Sequence, residues 1–88
     1  MPVSNGAISV GTAITEVSGP WINSKLVYLQ DGDFDGDTAV YVGGSAVTTA
    51  TGVKLSKTNT TVFQVNGDDT LYAVGSGETA AVRVTEVK

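Results

Sequence analysis

The sequence predicts an all-β fold, a compact antiparallel β-sandwich or barrel of about eight short strands. Three observations carry that prediction. Valine and threonine dominate the ordered-looking segments, and their branched side chains favour extended backbone. Glycine recurs at short, nearly regular intervals, which reads as strands separated by turns. Helix signals are nearly missing: no window sets apolar residues at three-and-four spacing beside a capping box, and glycine or a β-branched residue interrupts every candidate.

Taken in order, Ile8, Val10 and Ile14 share even parity with Thr12 between them, so one face of an extended N-terminal stretch is apolar while Ala7, Ser9 and Ala13 line the other. Gly11 divides this stretch and predicts a bulge or bend where the chain passes from one sheet to another. The stretch continues through Thr15, Glu16 and Val17 and stops at Ser18-Gly19-Pro20, since proline lacks the N–H that a ladder needs. Trp21 and Ile22 then fall in a loop or short edge segment. Lys25 to Gln30 is the next strand, and its run Leu26-Val27-Tyr28-Leu29 is apolar on both faces, as expected in the middle of a sandwich. Thr38 to Val42 is expected to pair with it across an aspartate-glycine loop. A strand at Ala46 to Thr48, a turn at Ala50-Thr51-Gly52 and a short piece at Val53 to Leu55 follow.

Thr60 to Val65 places Phe63 and Val65 on one side, and Asn66-Gly67 is a turn signal leading to a strand at Thr70 to Val74. Beyond an expected hairpin connection at Gly75-Ser76-Gly77-Glu78, the last strand, Ala80 to Val87, alternates. Val82 and Val84 share one face, while Arg83 and Thr85 turn the other to water or to a partner. No repeat, linker or low-complexity tail interrupts the chain, so residues 1–88 read as a single β domain.

A domain of 88 residues buries only about 60 to 65% of its unfolded surface. Without cysteine, it has neither a disulfide framework nor a thiolate zinc site to compensate. Oligomerisation is the remaining usual staple. Charged residues make up 16% and hydrophobic ones 41%, a folded rather than a disordered composition. The net charge of −4 leaves no basic footprint for phosphate backbones, so no nucleic-acid partner is expected. No apolar run approaches the ~20 residues that cross a bilayer. Met1 to Asn5 lacks the basic and apolar regions of a signal peptide. The expectation is a chain made and used in soluble form, with no membrane partner. Asn59-Thr60-Thr61 matches a glycosylation acceptor and is assigned no role.

The most chemical-looking segment is Asp31-Gly32-Asp33-Phe34-Asp35-Gly36-Asp37, whose alternating carboxylates make Asp31, Asp33 and Asp35 candidate ligands for a hard cation such as calcium. The acidic residue that would close an EF-hand loop falls on Val42 and no flanking helices are predicted, so an EF-hand is excluded. A polar hairpin loop, with aspartate and glycine supplying turn conformations, is the expected role, and no cofactor is expected. Gly43-Gly44 lacks the following helix and lysine of a phosphate loop. Ser76 has no histidine partner, because the chain contains none. Scattered carboxylates without a cleft do not suggest an enzyme. Of the aromatics, Tyr28, Tyr41, Tyr72 and Phe63 are expected in the core. Trp21, beside Pro20 in a loop, and Phe34, among aspartates, are the expected interface anchors.

One longer pattern remains: Val40-Tyr41-Val42-Gly43-Gly44-Ser45-Ala46-Val47-Thr48, then Gly52-Val53-Lys54-Leu55, then Leu71-Tyr72-Ala73-Val74. It resembles the small all-β accessory proteins of tailed bacteriophage virions, over a span from about Leu26 to Lys88. The acidic Asp31 to Asp37 loop departs from that pattern, in which the corresponding connection is less acidic. The resemblance implies a non-enzymatic virion structural protein, first of all a capsid decoration (head-stabilising accessory) protein on the outer capsid surface. Its implied partners are the major capsid protein and copies of itself, and its implied location is the virion, assembled in the host cytoplasm. A neck, tail or fibre-associated β domain is the second virion reading. From a different class, the alternative is a calcium-dependent carbohydrate-binding module that uses the acidic loop.

Overall fold

Period-two alternation gives each strand one buried row, and the chain lays these rows against one another from two sheets. The computed structural model describes residues 3–21, 24–32, 38–66, 69–77 and 79–88. Its strands are β1 (Val3–Val10), β2 (Thr15–Ser18), β3 (Lys25–Asp31), β4 (Val40–Gly43), β5 (Val53–Lys54), β6 (Thr61–Val65), β7 (Leu71–Gly75) and β8 (Ala80–Val87), and the described residues contain no helix. Sheet I has the order β1-β8-β3-β6 and sheet II the order β2-β7-β4-β5, with every pairing antiparallel. Successive strands change sheet at every step except β4 to β5. This is the strand order of a jelly roll, a double-sheet sandwich of two Greek keys.

The core between the sheets is built mostly of valine. Sheet I contributes Val10, Val27, Leu29, Val65, Val82 and Val84, while sheet II contributes Val17, Val40, Val42 and Ala73; Leu55, just past β5, closes the side. The molecule measures only 17 Å along its shortest axis, and sheets packed face to face stand about 10 Å apart. Tyr28, Tyr41 and Tyr72 fall in rows of the opposite parity to the core residues and so point away from that gap. The expectation that the aromatics form the core is therefore corrected: none of Tyr28, Tyr41, Phe63 or Tyr72 is fully buried, and of these only Phe63 packs against the core cluster.

Gly11 does mark the passage between sheets, since β1 lies in sheet I and β2 in sheet II, and the corner is pinned by the Gly75 N–H donating to the Gly11 carbonyl at 2.7 Å. The bend ends the strand parity, and Ile14, expected on the apolar face with Ile8 and Val10, is 46% exposed. β3 is central in its sheet but alternates, with Leu26 exposed, Tyr28 and Gln30 half-buried, and Val27 and Leu29 buried. β4 does not pair with β3, whose two sides are occupied by β8 and β6; the chain crosses to sheet II, where β4 lies between β7 and β5. The connection after β7 likewise leads from sheet II to sheet I and is not a hairpin. Gly67, of the predicted turn after β6, lies outside the described residues, and β6 and β7 belong to different sheets.

Ala46 to Thr48 forms no strand. Thr48 and Thr51 instead build a hydroxyl-stapled turn: the Thr48 N–H donates to Thr51 Oγ1 at 3.1 Å and the Gly52 N–H to the Thr48 carbonyl at 2.9 Å. Such local bonds compete with a ladder for the same backbone groups. The turn folds back over the outer face of sheet II and presses Val47, only 5% exposed, against the chain. A Cβ at Gly43 would stand 2.9 Å from Val47 Cγ2, and one at Gly52 would stand 2.7 Å from both Val47 Cγ2 and Tyr41 Cβ. The glycines are thus the seat of a valine plug. Gly52→Ala should lower unfolding free energy in urea by about 1–3 kcal/mol through overpacking. Gly44→Ala, whose Cβ meets nothing within 4 Å, should change it by less than about 0.5 kcal/mol; equal effects would show that the turn is not seated on the sheet.

Candidate functional site

The inner row of β3 reads Lys25, Val27, Leu29, Asp31, all buried, so a charge stands at each end of an apolar pair. Burying a charge is costly unless it is paired and hydrogen-bonded, and both are. Lys25 Nζ, on a side chain 2% exposed, donates to Glu86 Oε2 at 2.7 Å and to the Gly19 carbonyl. Ser18 Oγ donates to the same carboxylate oxygen at 2.6 Å. At the other end, Lys57 Nζ lies 3.1 Å from Asp31 Oδ2 and donates to the Thr38 carbonyl at 2.7 Å. Each cluster joins an end of β3 to chain that enters or leaves sheet II, through Ser18 and Gly19 at one end and Lys57 and Thr38 at the other. Both clusters are occupied in holding the sandwich ends together, and neither offers a nucleophile or base to a substrate.

Burial of Glu86 acts to raise its pKa, but hydrogen bonds from Lys25 and Ser18 and the charges of Lys25 and Lys88 outweigh it and hold the carboxyl below its ordinary value. A carboxylate whose pKa is depressed by folding contributes stability that is complete above its unfolded value, about 4.3, and is lost as pH falls through the lower folded one. Thermal stability should therefore drop as acid is added below about pH 4.3. Glu86→Ala, by stranding the Lys25 ammonium, should cost about 3 kcal/mol at neutral pH and flatten that acid slope. An unchanged slope would assign it to other carboxylates.

Of the candidate metal ligands, Asp31 is fully buried and bonded to Lys57, while Asp33 and Asp35, with the interface candidate Phe34, lie outside the described residues. No group of three or more potential metal-ligating side chains occurs among the described residues. Trp21 sits in a loop, as expected, but is half-buried, with Lys88 Nζ 4.3 Å from the ring centroid. Part of its surface is thus already covered by its own chain.

The two outer faces of the sandwich differ. On sheet II, the Val47 turn lies over Gly43 and Tyr41, and Val74, beside Tyr41 in the register, is buried as well. On sheet I, pairing aligns Val3, Val87, Leu26 and Gln64 in one row, Asn5, Thr85, Tyr28 and Val62 in the next, and Ala7, Arg83 and Gln30 in a third. None of these is buried. Val3, Leu26 and Val62 are 62%, 37% and 50% exposed, and Arg83 is the one charged side chain in the three rows. A depression of about 400 Å³ opens on this face between Tyr28, Gln30, Thr60, Arg83 and Thr85. A broad face with exposed aliphatic side chains, one tyrosine and almost no charge has the chemistry of the centre of a protein interface, where charged residues are depleted and aromatics and arginine enriched. The sequence reading found one strand of it, the Arg83 and Thr85 side of β8. It missed the rest because the alternation of β1 is blurred by small residues and the apolar run of β3 masked its outward half.

Comparison with family models, with curated proteins and with solved structures gave no match.

Proposed function

We propose that this chain is a bacteriophage virion structural protein, non-catalytic and most specifically a capsid decoration protein, which holds to the major capsid protein through the outer face of sheet I. The observation that carries the proposal is that sheet I presents a broad outward face whose one charge is Arg83 and whose aliphatic side chains Val3, Leu26 and Val62 are exposed, in a chain whose opposite face is partly covered by its own Val47 turn. The pattern from Val40 to Val74 supplies the phage assignment by resemblance. The jelly roll is a fold used by viral capsid and lectin domains, and by itself it selects neither, since function lives in sites rather than folds. Attachment of such a subunit across capsid junctions stabilises the shell by mass action, because it binds the assembled state and not the separated one. A neck, tail or fibre position would use the same face. For the calcium-dependent carbohydrate module, engagement of Asp31 by Lys57 removes one proposed ligand from the set.

The test is binding of the purified chain to capsid shells of the phage that encodes it. Leu26→Asp and Val62→Asp, both at exposed outward positions, should keep the β spectrum and weaken attachment at least about tenfold, equivalent to 1.4 kcal/mol, by placing an unpaired carboxylate in a dry interface. Trp21→Ala should weaken it less. Undiminished binding of both aspartate variants would remove sheet I as the contact, and loss of binding in Trp21→Ala alone would return the anchor to the loop.

A further inference from the structure

We propose that two copies of this chain associate through their β1 strands, paired antiparallel about a two-fold axis at Ala7, so that the two copies of sheet I become one continuous sheet. Any sheet edge presents a row of unpaired backbone N–H and C=O groups, and folded proteins blunt such edges with charge, proline, bulges or brevity. Sheet II is blunted at both edges: β5 has two residues, one of them Lys54, and β2 has four, with Glu16 and a register shift before Ser18. In sheet I, β6 has five residues. The remaining edge, β1, runs for eight residues, Val3–Val10, without a charge or a proline, and all but Ile8 and Val10 are exposed. It pairs on one side with β8.

The occupant follows from the shape of the strand. A hollow of about 190 Å³ opens between β1 and β2, lined by Ser4, Gly6, Ile8, Val17, Val84 and Glu86. At Gly6 a Cβ would meet nothing within 4 Å, so the notch is real space left by a missing side chain. Two residues on, Ile8 is only half-buried although its row faces the core. Knob and notch therefore lie on the same strand and the same face, one pleat apart. In a continuous antiparallel sheet, residues directly opposite share a face. An axis at Ala7 sets Ile8 of each copy opposite Gly6 of the other, with their Cα atoms about 5 Å apart. The outward row is then Asn5 opposite Ser9 and Ala7 opposite itself, small and uncharged throughout. A surface whose knob fits its own notch under a two-fold is the signature of an isologous contact, and it selects a second copy over an unrelated strand. Each copy carries a net charge of −4, yet no charged side chain of β1 meets its like across the axis.

About seven paired residues span roughly 24 Å of edge, which places the contact in the small, transient class of interfaces. Self-association should therefore be dynamic, with a Kd in the micromolar range or weaker. Pairing through β1 needs no capsid, so its failure would leave the capsid reading standing. The experiment is sedimentation of the purified chain from about 1 µM to about 1 mM, with amide hydrogen exchange at both ends of that range. The expected result is a shift from one copy to two, with slower exchange at residues 4–10 in the concentrated sample. Gly6→Val, which fills the notch, and Ala7→Lys, which places two ammonium groups face to face, should each weaken association at least tenfold while keeping the β spectrum. A parent chain that stays single across the range overturns the proposal. So does association with new protection at 61–65 or elsewhere and none at 4–10, or association that both folded variants retain in full.

Discussion

The sandwich depends on the two charges buried at the ends of β3. Lys25 and Asp31 occupy the same inward row as Val27 and Leu29, and the register therefore cannot slip by one residue without moving both charges to the solvent face and exposing Val27 and Leu29. Each charge finds its partners in chain that does not belong to β3: Glu86 at the end of β8, itself held by Ser18 at the end of β2, with the Gly19 carbonyl just beyond, and Lys57, which also bonds the Thr38 carbonyl beside the entry to β4. The ion pairs thus decide which segments meet at each end of the barrel-like gap, while the valine core supplies the drive to close it. Replacing such a pair by apolar residues is often neutral, but breaking one half is not. Their value here is in specifying the wrap.

Register has a second effect. Alternating with the core residues on either side of them, the tyrosines point to the outer faces, where Tyr41 and Tyr72 stand on sheet II and Tyr28 on sheet I. On sheet II a turn from the same chain covers part of that surface. On sheet I the cover among the described residues is at one corner, where the Lys57 carbonyl accepts from Gln30 Nε2 at 3.0 Å, while Val3, Leu26 and Val62 stay exposed. The asymmetry of the molecule comes from this difference more than from its charge, and it singles out one broad face for contact with something else.

Much of the architecture was legible in the residues. Alternation in β8 and the breaks at Gly11 and at Gly19-Pro20 led to the right elements, and Gly11 to the change of sheet. Sheet membership was not legible, because a jelly roll sends each strand across the sandwich rather than to its neighbour, and local turn signals such as Gly75-Ser76-Gly77 look the same in either case. Val47 was misplaced because a valine between small residues reads as strand by propensity, whereas Thr48 and Thr51 satisfy the backbone locally and turn it into a plug. Lys25 gave no sign of burial, since its partners Glu86, Ser18 and Gly19 are brought to it by tertiary structure alone. For the candidate face, Arg83 and Thr85 were readable from β8, but the rows they complete with β1, β3 and β6 exist only once the register is known.

The position of β8 governs how the molecule can come into being. This strand lies between β1 and β3, so sheet I stays split, with its first strand unpaired, until residues 80–87 have left the ribosome. Among the described residues only β4 and β5 form a pair from strands consecutive in the chain, and every other ladder must close a long loop before it gains anything. Such a chain is expected to acquire its structure late and in one step, in milliseconds to seconds rather than microseconds, with the β1 segment waiting as an uncharged, extended tail while translation proceeds.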